Sequence, residues 1–346
     1  MSYIISEIRP SDKRGLAKAE ELLVREGIRK DPNLDHLAGA FSDNGDIVAV
    51  GGCYSNTLRC LAVDSRHRGE GIMPTLISHL INYQFERGNT HVFLYTKLQN
   101  AEIFGALGFH EIARVDGEFM LMENKRDGFA GFLNTLAAKK RIGNSAAVVV
   151  NCNPFTLGHR YLIEQASAGS DTVHLFVVSE DASFFSFEDR FDLVREGVAG
   201  LSNIALHQTG SYMISNAVFP SYFLKDEDDV IRAQARLDIE IFKKIAAALD
   251  ISRRYVGEEP FSQVTGIYNS IMNDTLPKAG IECVVIPRKA SDGLKISASN
   301  VRRLLREGQI EHTRSLVPDS TYRYFLTDKG KKVIKLLQCA DEVVHY

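Results

Sequence analysis

The sequence predicts an α/β protein of two domains, a mixed α+β domain followed by a doubly wound parallel-sheet domain. The chain has 346 residues, and at roughly 150 residues per domain that length divides into two. Residues 3–121 and 146–346 each alternate apolar runs with amphipathic segments, the pattern of strands interleaved with helices. Ala146, Ala147, Val148, Val149 and Val150 form an apolar run without alternation, as a strand buried on both faces of a parallel sheet requires. The boundaries expected are a first domain over 1–124, a linker helix over 125–145 and a second domain over 146–346.

In the first half, 47–52 and 58–63 read as neighbouring strands joined by a short polar turn. Met73, Leu76, Ile77, Leu80, Ile81 and Phe85 then lie on one helical stripe, and a strand follows over 91–95. Between the halves, the polar stretch 124–128 precedes Phe129, Phe132, Leu133 and Leu136 at helical spacing, which makes the linker an ordered helix. Further strands are expected at 172–178, 204–207, 254–256 and 281–286, with helical patterns between them. The longest helix spans 226–249 and opens on Asp226, Glu227, Asp228 and Asp229, acidic residues that suit the positive end of a helix dipole.

Composition narrows the function. No apolar run approaches the ~18–20 residues of a spanning helix, and residues 1–15 lack the basic and apolar regions of a signal peptide, so a cytoplasmic protein is expected. A net charge of −3 argues against nucleic acid or an anionic membrane held by bulk charge, so phosphate recognition has to be local. The five cysteines, Cys53, Cys60, Cys152, Cys283 and Cys339, are scattered and never in CxxC, which suggests reduced thiols and neither disulfides nor zinc. His67, His79, His91, His110, His174 and His207 show no metal-ligand spacing and read as structural.

Two segments carry phosphate chemistry. After the first strand of the second half stand Asn153, Pro154, Phe155, Thr156, Leu157, Gly158 and His159, and then a helical pattern. A strand feeding a helix through such a turn aims backbone N–H groups and a helix dipole at one point. Gly158 permits close approach of substrate to the backbone, and Thr156 adds a hydroxyl. The second segment is Lys295, Ile296, Ser297, Ala298, Ser299, Asn300, Val301, Arg302 and Arg303. There Ser297 or Ser299 can cap a helix over 300–306, to which Lys295 and Arg302 bring positive charge. Together, TLGH at the first strand-to-helix turn and ISASxxR opening a late helix resemble the two signatures of the HIGH-type nucleotidyltransferases, a Rossmann-like fold. That resemblance implies adenylyl transfer at the α-phosphate of ATP, with two cationic, hydroxyl-lined helix tips converging on the nucleotide. Thr156 takes the position of that motif's first histidine, and His159 keeps the last. The segment 186–190 also resembles these enzymes, so Arg190, which its own sequence context reads as an exposed helix arginine, becomes a phosphate or substrate ligand.

The first half has a signature of its own. Arg66, Gly69 and Gly71 leave a strand and enter a helix with R-x-x-G-x-G spacing, which resembles the pyrophosphate loop of GCN5-related N-acetyltransferases (GNAT). The segment 100–109, ending on Gly108 and Phe109, is similar to that family's later helix. Many members carry a tyrosine that protonates the leaving thiolate, whereas this chain has Phe104, which has no proton to give. The resemblance therefore implies binding of a CoA-like group, CoA or acetyl-CoA included, through the loop of Arg66, Arg68, Gly69 and Gly71, without the usual acid.

A GNAT-like domain ahead of a TxGH…ISxS domain resembles the citrate lyase ligase family over nearly the whole chain. Membership implies an enzyme that uses ATP and acetate to acetylate the thiol of a dephospho-CoA-derived prosthetic group on the citrate lyase acyl carrier subunit, releasing AMP and pyrophosphate. The catalytic set implied is His159, Thr156, Lys295 and Arg302. The nucleotide-binding set is Asn153, Pro154, Phe155, Gly158, Ser297, Ser299, Arg190 and Glu258. Mg²⁺ is expected with ATP, held by phosphate and water rather than by a protein cage. Acetate is ionised at neutral pH, as a glutamate side chain is, so it needs positioning and charge neutralisation rather than a base. The hydroxyls and aromatics of 211–223 are a candidate acetate pocket, with a packed surface loop as the plainer reading. The Arg66–Gly71 loop is expected to grip the diphosphate of the carrier's prosthetic arm. Two other readings share the motifs: an adenylyltransferase acting on a phosphate substrate (pantetheine phosphate or nicotinamide mononucleotide) fused to a working N-acetyltransferase, and a non-catalytic sensor of acetyl-CoA and ATP.

Overall fold

Strand-forming runs that end in glycine and polar turns build a seven-stranded and a five-stranded sheet, with a further two-stranded ribbon. The structure, a computed structural model, describes residues 3–181, 183–213, 219, 227–258, 263–288, 290–291 and 294–339. At 227–228, 263–265, 290–291 and 294–295 it describes the backbone alone. The described residues fall into two compact units that divide at Gly131/Phe132 and, within the longest helix, at Ala233/Gln234.

The first unit comprises β1 (Ile4–Glu7), α1 (Lys13–Arg25), β2 (His36–Phe41), β3 (Ile47–Tyr54), β4 (Thr57–Val63), α2 (Ile72–Glu86), β5 (Phe93–Lys97), α3 (Ala101–Ala106), β6 (His110–Val115) and β7 (Phe119–Glu123). Its sheet runs β1-β2-β3-β4-β5-β7-β6. Neighbours are antiparallel except β4 and β5. That parallel pair meets only at Thr57–Phe93 and Leu58–Leu94 and then parts. The apolar stripe seen in the sequence buries Leu76, Ile77 and Leu80 of α2 against Ala49, Leu58 and Leu94. Leu22 and Leu23 of α1 pack with Val50, Cys60 and Ala62 in a second cluster. A helix α4 (Gly128–Ala137) occupies the linker and spans the first dividing point.

The second unit comprises β8 (Ser145–Val150), α5 (Leu157–Ala168), β9 (Thr172–Val177), α6 (Phe187–Gly197), β10 (Ile204–Gln208), α7 (Glu227–Leu249, from Gln234 onward), β11 (Ile251–Gly257), α8 (Gln263–Thr275) and β12 (Glu282–Ile286). After them come the short β13 (Ala290–Ser291) and β14 (Leu294–Lys295), then α9 (Ala298–Arg306), α10 (Asp319–Leu326) and α11 (Asp328–Cys339). The five long strands are parallel, in the order β10-β9-β8-β11-β12, so the run 146–150 is the central strand. The helices α10 and α11 are not anticipated by the sequence reading. They close with α9 around Phe185, Ile296, Leu305, Phe325 and Leu337 as a core of their own, and so place the α9 tip.

His174 and His207 lie on adjacent strands with His174 Nδ1 and His207 Nε2 2.9 Å apart. Both are buried. Burial first, then positive neighbours, pushes His174 down to about 4 and His207 to about 3. An unfolded chain binds a proton at each near pH 6.5 while the folded chain does not, so this pair's contribution to stability is intact above pH 6.5 and falls as pH drops toward 4. Two such protons correspond to a slope on the order of 2–3 kcal/mol per pH unit in that window. We expect imidazole C–H resonances of both residues to hold their neutral positions from about pH 8 to about pH 5, with the urea midpoint falling below about pH 6. Titration of either ring near pH 6.5 in the folded protein would contradict the assignment.

Candidate active site

A doubly wound sheet leaves a crevice at the carboxyl ends of its strands where the strand order reverses. Here that point lies between β8 and β11, and residues 151–156 lead from β8 to α5. The turn is held from below. Phe155 is fully buried, and its ring lies so close to Gly197 that a Cβ there would come within 2.2 Å. Burying such a side chain contributes ~1.5–3 kcal/mol. Pro154 follows Asn153 through a cis peptide. Both residues are framework, and they fix where Thr156 begins the helix.

Thr156 is the N-cap of α5 and forms a capping box with His159. The His159 N–H donates to Thr156 Oγ1 (3.3 Å), and the Thr156 N–H donates to His159 Nδ1 (3.1 Å). With Nδ1 accepting, the ring proton sits on Nε2. Burial, with the positive charges of Arg288 and Arg302, pushes the imidazole down to about 4. His159 is therefore neutral at pH 7 and offers an N–H donor rather than a charge, which corrects the expectation of a cationic tip on this helix. The Leu157 N–H is taken by the Leu316 carbonyl (2.9 Å). The Gly158 N–H meets no acceptor among the described residues, so the helix dipole and this donor remain for an anion.

The second tip is tied to the first. Ser297 caps α9 by accepting from the Asn300 N–H (3.1 Å). Arg302, 2% exposed, donates from Nη1 to the Asn153 carbonyl (2.6 Å) and from Nη2 to Ser299 Oγ (3.2 Å). One guanidinium thus joins the two motifs, and its Nε is buried without an acceptor. The backbones also touch. A Cβ on Gly158 would sit 3.2 Å from the Ile296 carbonyl oxygen, so glycine is what lets the two segments approach. Thr156, Gly158, His159, Ser297, Ser299 and Arg302 are brought to one place.

Other expected residues stand elsewhere or in other roles. Arg190 is not the exposed helix arginine that its sequence context suggests, and its hydrogen bonds go to the protein itself. It is fully buried, and its guanidinium donates to the carbonyls of Phe185 (3.1 Å), Asn151 (2.8 Å), Val178 (2.8 Å) and Glu180 and to Asn151 Oδ1 (2.8 Å). It rivets the ends of β8 and β9 to the start of α6. Glu258 is exposed at the end of β11, and its carbonyl accepts from Arg288 Nε (2.9 Å). Lys295 lies on β14 opposite Ala290, and its side chain is outside the described residues. Of 211–223, only 211–213 and 219 are described. There Tyr212 packs on Phe132 at 4.7 Å, and the Met213 carbonyl accepts from Thr209 Oγ1 (3.2 Å). Arg288, just past β12, was missed. Its charge acts on His159, and the signal available was a basic residue following a strand that ends on the active edge.

In the first unit, β4 and β5 part above Leu58 and Leu94. A cavity of about 540 Å³ fills the wedge, lined by Leu61 and Val63 of β4, Tyr95 and Lys97 of β5, Phe104 of α3, and the loop residues Arg68, Gly69 and Gly71. Gly69 (φ 84°) and Gly71 (φ 75°) are left-handed, a backbone that glycine adopts without strain, and α2 begins at Gly71 without a side-chain cap. Arg66 turns away from its expected role. Its guanidinium holds Asp64 through Nε (3.0 Å) and Nη2 (2.7 Å), and it does not line the cavity. Arg68 lines the cavity but pairs with Glu26.

The first unit thus carries a glycine loop beside a wedge between parted strands, and the second is a doubly wound α/β unit whose two motif helix tips meet at the carboxyl edge of its sheet. Residues 3–110 match the family description "Acetyltransferase (GNAT) family", and residues 145–325 match "Citrate lyase ligase C-terminal domain". The chain is 36% identical over 328 residues to the [citrate [pro-3S]-lyase] ligase of Escherichia coli (strain K12), covering 93% of both chains. It is 39% identical over 286 residues to that of Klebsiella pneumoniae, covering 81% of this chain and 84% of the relative. With the Haemophilus influenzae ligase the identity is 36% over 321 residues, covering 91% of this chain and 96% of the relative. The chain belongs to the citrate lyase ligase family and is an enzyme of the ligase class.

Arg302→Met removes the tie between the two tips and strands the Asn153 carbonyl, a loss of ~1–3 kcal/mol. Displacement of the α9 tip by about 1 Å is enough to cost on the order of 100-fold in activity. Thermal unfolding and initial rates measured together are expected to show a modest fall in Tm with a much larger fall in kcat/KM. A variant with wild-type activity would sever the link between this guanidinium and the site.

Proposed function

We propose that this enzyme condenses acetate with ATP to give acetyl-adenylate and pyrophosphate. It then transfers the acetyl group to the thiol of the dephospho-CoA-derived prosthetic group on the acyl carrier subunit of citrate lyase, releasing AMP. The observation that carries this reading is the convergence of two helix N-termini through Arg302 in a chain whose relatives are named for action on citrate lyase. In the first half-reaction a carboxylate oxygen of acetate bonds to the α-phosphorus, and the Pα–O bond to the β-phosphate breaks with its electron pair going to pyrophosphate. No proton moves. The barrier is electrostatic, an anion approaching a polyanion, and it falls when fixed donors replace water around the phosphates.

In this reading His159 Nε2–H and the Gly158 N–H donate to phosphate oxygens from the α5 tip. Ser297 and Ser299 do so from the α9 tip, and Lys295, Arg288 and Arg302 supply positive charge. Thr156 orients His159, Asn153 receives Arg302, and Glu258 acts through its carbonyl on Arg288. Pro154 and Phe155 hold the turn. Mg²⁺ enters with ATP in this reading, held by phosphate oxygens and water.

In the second half-reaction the thiol gives up its proton to solvent, its sulfur bonds to the acetyl carbon, and the bond from that carbon to the phosphate oxygen breaks, its electron pair leaving with AMP. The first unit is the docking site for the arm that carries this thiol. The amides around Gly69 and Gly71 take the diphosphate, and the wedge between β4 and β5 takes the pantetheine. Phe104, buried beside Phe109, provides no acid, so the unit binds without transferring an acyl group from CoA.

Exchange of labelled pyrophosphate into ATP tests the reading. It is expected with acetate present and without any carrier, and AMP is expected to accumulate only when the thiol-bearing carrier is added. Exchange that ignores acetate but follows pantetheine phosphate or nicotinamide mononucleotide would favour an adenylyltransferase. ATP binding without exchange under any condition would favour a sensor.

A further inference from the structure

Both arginines of the glycine loop in the first unit are paired with carboxylates, which an anion-binding loop does not require. We propose that the rim of this wedge discriminates against the 3′-phosphate of ordinary CoA, with Glu26 and Glu70 as the specificity-determining residues that reserve the site for a 3′-dephospho-CoA-type arm; this rests on the arm-docking reading above.

Arg68 lines the cavity, and its Nη2 donates to Glu26 Oε2. Glu26 lines it too. Its side chain is only 8% exposed, and its Oε1 accepts from the Ser65 N–H (2.9 Å). Arg66 donates to Asp64 from Nε and Nη2, and the buried Asp64 carboxylate also takes Arg25 Nη2 at 3.2 Å. The guanidinium sides of these pairs are largely exposed, and an exposed ion pair is weak in itself. Turning either arginine toward another anion, however, deprives a buried carboxylate of its partner, which is costly. Glu70 stands between the two left-handed glycines. Its carboxylate accepts from the Tyr3 hydroxyl and lies 3.5 Å from His67 Nδ1, with no lysine or arginine paired to it among the described residues. Of the lysines and arginines that line the cavity, only Lys97, at the end of β5, has no carboxylate partner among the described residues.

CoA and 3′-dephospho-CoA share the pantetheine and the diphosphate and differ by one phosphomonoester on the ribose. With the pantetheine in the wedge, the ribose lies outside it, on the solvent side of the loop. The phosphomonoester carries about −1.5 to −2 charges at pH 7, and the ribose tethers it within roughly a Debye length, ~8 to 10 Å at ordinary salt, of the diphosphate. The diphosphate itself has the amides around Gly69 and Gly71 and, on the opposite strand, Lys97. A further dianion meets the Glu70 carboxylate, while the nearest guanidiniums are held by Glu26 and Asp64. It therefore encounters like charge and gains no cation. Selectivity of this kind arises from the penalty on the wrong ligand rather than from a new contact with the right one. Free CoA then competes poorly with the arm of the carrier.

The test is calorimetric titration of the full-length enzyme, without ATP, with CoA and with 3′-dephospho-CoA at low and at high salt. Like-charge opposition at this surface predicts CoA bound about 10-fold more weakly at low salt. At about 1 M salt the ratio is expected to shrink to about twofold, because screening weakens a charge effect and leaves a steric one untouched. Glu26→Gln releases Arg68 while keeping an acceptor for the Ser65 N–H, and Glu70→Gln removes the carboxylate of the loop; each is expected to narrow the low-salt ratio to about threefold. Equal affinity of the wild type for both ligands, a preference for CoA, or a ratio indifferent to salt or to both variants would overturn the discrimination and leave the docking reading standing. Should either variant fail to fold, the salt dependence of the wild type decides. Binding of neither ligand would remove the docking site, and this inference with it.

Discussion

The second unit depends on one buried guanidinium. Arg302 reaches across 149 sequence positions to the Asn153 carbonyl and holds Ser299 with its other arm. A buried cation is costly unless hydrogen bonds and a counter-charge compensate it. Arg302 has the hydrogen bonds, all to neutral groups, and no carboxylate partner among the described residues. The positive potential it keeps is what a polyphosphate would neutralise. The same tie sets the distance between the two helix tips, which Gly158 shortens by leaving room for the Ile296 carbonyl. The core around Phe325 and Leu337 then fixes the far end of α9.

Charge is handled differently in the two units. In the second, the α5 tip is hydrogen-bonding and neutral, because burial first, and then the charges of Arg288 and Arg302, suppress protonation of His159 while the helix dipole stays intact. Arg302 is held there by neutral acceptors alone among the described residues. In the first unit both arginines of the glycine loop are matched, Arg66 to Asp64 and Arg68 to Glu26, and Asp64 is held well below the usual carboxylate range chiefly by Arg66. In the reading proposed above, the arm's diphosphate would be left to the backbone amides of that loop.

Arginines were the hardest residues to place from sequence. Arg190 and Arg302 both sit near the start of a helix beside a hydroxyl-rich turn, and both looked like ligands. The fold spends Arg190 on main-chain oxygens of three segments, while Arg302 keeps a buried Nε without a partner. Arg66 matched its motif in spacing yet folds back on a residue two positions away. Arg288 matched no motif, although its charge falls on His159. A guanidinium extends far enough from its Cα to choose among acceptors on several elements, so spacing along the chain does not determine its partner.

What the chain alone determined was local. The apolar run at 146–150, the stripe from Met73 to Ile81 (its expected last member, Phe85, is exposed), the capped turn at Thr156 and the glycine loop at 69–71 are each set by neighbours within about ten residues, and periodicity, capping chemistry and φ preference act over that range. The strand order, the wedge between β4 and β5, the core built by α10 and α11, and the pairing of each buried charge were decided by the tertiary structure. They arise from desolvation and long-range hydrogen bonding, whose energies depend on which distant residues exclude water from a group, and nothing in the spacing of the sequence records that.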